Sequence, residues 1–90
     1  MLAFMEKASF LAVEKYLPGE YSTVGISIQM EHIGAAKKGE YFECESKLID
    51  IKEKKLIFSI IAKSEKRKLA SAKHTRYIIH KQNFMNRLND

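Results

Sequence analysis

Cysteine occurs once in the chain, at Cys44. No internal disulfide can form, and a reducing compartment suits the protein. Tryptophan is absent and proline occurs only at Pro18, so one point alone carries a strong helix stop. The four glycines do not fall in a phosphate-loop pattern, and neither zinc-finger spacing nor an RNP-like aromatic motif is present. No apolar run approaches the roughly 18 residues that span a bilayer. No Lys or Arg precedes the N-terminal apolar stretch, which Lys, Glu and Tyr soon interrupt, so a secretory signal is not expected. These absences predict a cytoplasmic protein without a membrane partner.

Acidic residues are the minority, 11 against 16 Lys and Arg, for a net charge of +5. The basic residues fall in small groups, Lys37-Lys38, Lys52 to Lys55 and Lys63 to Lys68, where turns between strands are expected and charge is simply solvated. Without a nucleic-acid motif, nucleic-acid binding is not predicted. A small anionic ligand carrying phosphates fits the same charge. At 46% hydrophobic and 30% charged the composition is that of an ordinary globular domain. The 90 residues read as one domain, 1–90. A chain of this size buries only about two-thirds of its unfolded surface, so its core is thin and dimerisation would help it.

Residues 1–17, MLAFMEKASFLAVEKYL, read as one helix closed by Pro18-Gly19. On a helical wheel Lys7, Glu14 and Lys15 share one narrow side and most of the remainder is apolar, which predicts burial along most of the helix. Glu6 is the anomaly, placed among Leu2, Phe10, Val13 and Leu17. A carboxylate in such a setting costs several kcal/mol unless paired, hydrogen-bonded or protonated.

Residues 23–33 alternate cleanly, with Val24, Ile26, Ile28, Met30 and His32 on the expected core face, as in a half-buried strand. A loop over 34–39 leads to a second strand at 41–51, with Phe42, Cys44, Ser46 and Leu48 on one face. A tight turn at 52–54 enters a third strand at 55–64, where Leu56, Phe58, Ile60 and Ala62 alternate with Ile57 and Ile61. After a turn at 65–68, a strand over about 69–80 has blurred alternation at Ala72-Lys73-His74, as a bulge there would give. Residues 82–88 read as a terminal helical turn. One helix followed by four antiparallel strands in meander order is an α+β pattern, with the sheet curled around the helix. Cys44, on an apolar strand face with no activating charge nearby in sequence, reads as an inert core cysteine.

Glu6 on the helix and His32 on the first strand thus occupy apolar surfaces expected to face each other. They form either a structural pair or a general base with an orienting carboxylate.

The stretches Leu-Ala-Phe-Met-Glu-Lys-Ala (2–8), Tyr-Leu-Pro-Gly-Glu (16–20), Thr-Val-Gly (23–25), Met-Glu-His (30–32), His-Thr-Arg (74–76) and Ile-Ile-His-Lys (78–81), ending at Phe84, carry a resemblance. In their order and spacing the chain resembles the hotdog-fold thioesterases of the fluoroacetyl-CoA thioesterase group. The resemblance implies a hotdog fold: a long central helix wrapped by a curled antiparallel sheet, two subunits paired edge to edge, and acyl-CoA bound at their interface. It implies catalytic roles for Glu6 and His32. Gly25 would present backbone N–H to the developing oxyanion, and Arg76 would lie near the coenzyme, where a guanidinium suits phosphate. The function implied is hydrolysis of a short acyl-CoA thioester without metal or separate cofactor, coenzyme A being part of the substrate. The alternative is a non-catalytic acyl-CoA-binding or dimerisation module. Phe10, Val24 and Met30 are expected pocket walls.

The chain departs from the family pattern at several points. Family members carry a strand and a loop with Thr, Ser or Asn before the helix, whereas this chain starts within it. The expectation is therefore an N-terminally truncated domain, four strands with the first family strand missing, and weak or absent activity. Family glycines near 70 and 72 are Ala70 and Ala72 here, and Lys73 replaces a Thr before the histidine.

Overall fold

A computed structural model describes residues 2–34, 39–65 and 67–88. Most of the expected loop over 34–39, with the Lys37-Lys38 group, and residue 66 of the expected turn lie outside those residues. The elements are α1 (Leu2–Glu14), β1 (Tyr21–His32), β2 (Glu43–Lys52), β3 (Lys55–Lys63), β4 (Lys68–His80) and α2 (Lys81–Leu88). The predicted α+β class holds, as one antiparallel four-stranded sheet carrying a helix on its inner face.

The strand order is β1-β4-β3-β2, which differs from the expected meander. β2, β3 and β4 follow one another as hairpins, but β1 pairs with β4, and the chain crosses to the far edge before β2 begins. Both β1 and β2 are therefore edge strands. The β2–β3 hairpin closes over Glu53 and Lys54, since Lys52 pairs with Lys55, and Glu53 takes the left-handed φ of 56°. A side chain carries an energetic penalty there that glycine would avoid.

α1 ends at Glu14 rather than at residue 17. Its last turn tightens, with Tyr16 N donating to Val13 O at 3.0 Å and Leu17 N to Glu14 O at 3.2 Å, the usual way to satisfy terminal carbonyls. The helix buries one stripe, Met5, Ser9 and Val13, whose spacing of four places them in line along one face. Leu2, Phe4 and Leu11 remain 40%, 60% and 52% exposed. Burial around most of the helix was expected, but a single sheet layer covers only the side it faces. Ser9 Oγ and Ser46 Oγ lie 2.9 Å apart and tie the stripe to β2, and Phe4 meets Phe42 edge-on at 5.6 Å.

The core joins Met5 and Val13 to Leu56, Phe58, Ile60 and Ala62 of β3 and to Leu69, Ala70 and Ala72 of β4. The alternation read on β3 is met residue for residue.

β1 is where alternation misleads. Gly25 pairs with Arg76 and Ser27 with Thr75, leaving Ile26 as an extra residue. Residues directly opposite each other share a face. Thr23 opposite Ile78 and Gly25 opposite Arg76 therefore point inward before the bulge, and Ile28, Met30 and His32 do so after it. Val24 and Ile26 are turned outward, and Ile26 is 53% exposed. One inserted residue exchanges the two faces. The bulge sought in β4 at 72–74 lies instead in β1, opposite Thr75 and Arg76; β2 carries a second irregularity between Leu48 and Asp50. β4 is irregular only near its start, where Leu69 has no opposite residue on β3; from Ala70 on it is regular, and Ala70, Ala72, His74 and Arg76 alternate on its buried side.

Candidate active site

Around the β1 bulge the inner face becomes polar. A cleft of about 330 Å³ is lined by Glu6, Gly25, Ile26, Ser27, Ile28 and His74. α1 contributes the carboxylate, the bulge contributes backbone, and β4 contributes the floor. Glu6 is half-buried at the cleft wall, in keeping with its odd place on the apolar helix.

His74 and Arg76 are 1% and 7% exposed. Their polar atoms are nonetheless met, and among the described residues no buried side-chain N or O lacks a partner. Arg76 Nε donates to Thr23 Oγ1 at 2.8 Å and Nη2 to Thr23 O at 2.8 Å. Nη1 lies 3.2 Å from His74 Nε2, and His74 Nδ1 lies 2.8 Å from Ser27 O. Phe10 packs against the guanidinium, its ring centre 5.6 Å from Cζ, a cation–π arrangement. Burial lowers the Arg76 pKa from its ordinary value, and the Glu6 carboxylate opposes that shift. The pair thus stabilises charge at the cleft despite poor hydration.

Gly25 occupies a tight place. A Cβ there would stand 3.2 Å from His74 Cε1 and 3.4 Å from Arg76 Nη1. The lack of a side chain lets the β1 backbone rest directly on the imidazole and guanidinium.

The structure therefore brings together three of the four sequence-predicted site residues, Glu6, Gly25 and Arg76. His32 is not with them. It stands at the far end of β1, exposed and opposite Ala70. Seven residues of strand separate it from Gly25, roughly 20 Å. Glu6 and His32 of one chain do not share a cleft, because the helix carboxylate sits over the bulge end of the strand. Of the expected walls, Phe10 lies on Arg76, Val24 faces outward and Met30 packs against the core.

The residues missed were His74 and Thr23. The signal for His74 was the blur itself: a His and an Arg two apart, following Ala70 and Ala72 at the same period, mark a buried strand face whose last two positions are polar. The third histidine, His80, stacks edge-on with Tyr21 at 5.3 Å and accepts from Asn83 N at 3.4 Å at the start of α2.

A larger groove of about 490 Å³ runs between α1 and β2 past Phe4, Leu11, Phe42 and Cys44. Burial pushes the Cys44 thiol pKa up, which disfavours the nucleophilic thiolate and agrees with an inert cysteine. Among the described residues no group of His, Cys, Asp and Glu could hold a metal ion, and no helix is long and apolar enough to cross a membrane.

A family model described as fluoroacetyl-CoA-specific thioesterase, FlK, matches residues 1–82. The chain belongs to this family. Among solved structures, the fluoroacetyl-CoA thioesterase FlK superposes with a TM-score of 0.91 at 24% identity, over 99% of this chain and 66% of that one. The chain thus spans slightly less than two-thirds of the length of that relative. A hot-dog-like protein from Thermanaerovibrio acidaminovorans gives 0.86 at 20% identity, over 98% and 67%. A thioesterase superfamily member from Thermus thermophilus gives 0.86 at 16%, over 94% and 65%. These likenesses establish the hotdog fold. No curated protein matches the chain in a sequence search.

Proposed function

We propose that the protein is an acyl-CoA thioesterase of the hotdog type, acting on a short acyl-CoA as a homodimer in the cytoplasm. The observation that carries this reading is the cleft in which the Glu6 carboxylate faces the bare backbone of Gly25, above a buried guanidinium. Thioester hydrolysis needs a group to manage the proton of the attacking water and N–H donors where negative charge develops. The Glu6 carboxylate orients the base that does the first, and the Gly25 backbone supplies the second. Arg76 adds positive charge beneath the cleft, which favours an anionic coenzyme. A relative of this fold has been solved with fluoroacetate and CoA bound, and a Bacillus halodurans protein of similar fold with CoA.

His32 enters this scheme through the β1 edge. A second copy added antiparallel to that edge about a two-fold axis at Gln29, with Ile26 again left out of the pairing as the bulged residue, sets Gly25 opposite the partner's His32. Both positions belong to inner faces, so the imidazole arrives on the side of the sheet that holds Glu6. Each cleft then draws its carboxylate from one protomer and its base from the other.

The test follows free-thiol release from short acyl-CoA esters. His32→Ala and Glu6→Ala should each lose at least about tenfold, near 1.4 kcal/mol in barrier. Mixing and refolding the two inactive variants together should restore activity in heterodimers, each with one intact cleft, so that roughly a quarter of all sites in the mixture are intact. Unchanged turnover in His32→Ala rejects the assignment, and lack of restoration rejects the shared cleft. Calorimetry with a non-hydrolysable acyl-CoA analogue separates the rival module: tight binding by a protein that shows no turnover supports a binding role.

A further inference from the structure

The histidine that lines the Glu6 cleft within one chain is His74, and its bonding identifies what it can do. Arg76 Nη1, 3.2 Å from Nε2, can only donate, so Nε2 must accept. Ser27 O, 2.8 Å from Nδ1, can only accept, so Nδ1 carries the proton. The ring is thereby held as the neutral Nδ1–H tautomer, and its single basic lone pair is already engaged.

The partners of this pair have a second regularity. Arg76 Nη2 binds Thr23 O and His74 Nδ1 binds Ser27 O. Those two carbonyls flank the bulge, with Val24, Gly25 and Ile26 between them. His74 and Arg76, two apart on the inner face of β4, thus form a continuous link from one side of the bulge to the other. Ile26 has no partner on β4, so this link takes over the restraint that the ladder loses there.

We infer that His74 and Arg76 form a strap that fixes the bulged backbone of residues 23–27, with His74 serving as a neutral positioning residue and not as the general base. The inference rests on the thioesterase reading only in naming the oxyanion donor as what the strap aims. Displacing a reacting group by about 1 Å can cost on the order of a hundredfold in rate, so a backbone donor on an irregular stretch of strand gains from being tied at both sides.

Two measurements test it on the full chain. Long-range nitrogen–proton correlation NMR of the folded wild type should show His74 protonated at Nδ1 and bare at Nε2 at neutral pH. An Nε2–H ring or an imidazolium overturns the inference, whatever the protein's activity. The second compares His74→Phe, which keeps the ring volume and loses both bonds, with His74→Asn, whose amide N–H stands where Nδ1–H stood. His74→Phe should lower kcat about tenfold to a hundredfold with KM within roughly threefold, and accelerate amide exchange at Gly25, Ile26 and Ser27. His74→Asn should stay within about fivefold of wild type in kcat, because it keeps the tie to Ser27. Equal loss in both variants marks a base and overturns the strap, as does a His74→Phe protein with wild-type kcat and wild-type exchange. If His74→Phe does not fold, the ring tautomer and the Asn variant decide alone. Absence of any turnover by wild type removes the thioesterase reading, and the strap then stands or falls on the tautomer and the amide exchange.

Discussion

On β3 the inner face is filled by carbon alone, Leu56, Phe58, Ile60 and Ala62, each 4% exposed or less. A few ångströms away, β4 brings His74 and Arg76 to nearly the same burial, at 1% and 7%. The first region is stable because apolar surface leaves water. Its contacts have no required direction, and neighbours can shift to fill small changes. The second is tolerated only because each donor has an acceptor at a set distance, and a buried polar network is costly when partly satisfied. The apolar half supplies stability and the polar half supplies a shaped backbone. In the proposed function, the chemistry lies in the polar half.

Substitutions can break or sharpen that contrast. The largest effect is expected from Phe58→Ala, which empties the centre of the apolar half. A loss of about 3–5 kcal/mol, measured by urea unfolding, would remove much of the 5–15 kcal/mol that a small domain commands. A loss below about 1 kcal/mol would mean that the helix and sheet are not packed as described. Gly25→Ala is a smaller perturbation of the polar half. Its added Cβ would meet His74 at 3.2 Å and Arg76 at 3.4 Å, and both groups are pinned by hydrogen bonds. A loss of about 1–3 kcal/mol is expected, together with a fall in turnover larger than a stability change can produce. Unaltered stability and turnover would show that the polar half yields as readily as the apolar one. The smallest effect should come from Glu53→Gly in the β2–β3 hairpin, where the left-handed backbone at φ 56° becomes relaxed. A gain of about 1 kcal/mol, with turnover unchanged, would place that turn wholly on the side of stability. A loss there would show that the Glu53 side chain has a role beyond the turn.

The same contrast separates what could be read in the chain from what could not. β3 was legible because its buried side is apolar at every second position. β4 was harder because its last buried positions are His74 and Arg76, which read as exposed polar residues until their partners are known. β1 was misread at Val24 and Ile26, since nothing in Val-Gly-Ile-Ser-Ile marks which residue is inserted. The bulge is set by pairing with β4 and by the carbonyls that His74 and Arg76 hold. Glu6 was found as an anomaly because a carboxylate among apolar helix positions conflicts with local pattern. His32 was placed on the correct face at the wrong end, because period gives the side of a strand and says nothing about where the helix crosses it.

By itself the sequence determined that the helix ends before Pro18-Gly19, the strands by their period of two, the α+β class and the anomaly of Glu6. All of these depend on neighbours within a few positions along the chain. The tertiary structure decided the strand order, the exposed side of α1, the exchange of faces at Ile26 and the meeting of His74, Arg76 and Thr23. Those depend on atoms some fifty residues apart (Arg76 and Thr23 are 53 positions from each other), and no local pattern encodes a contact that the chain makes only after it has folded.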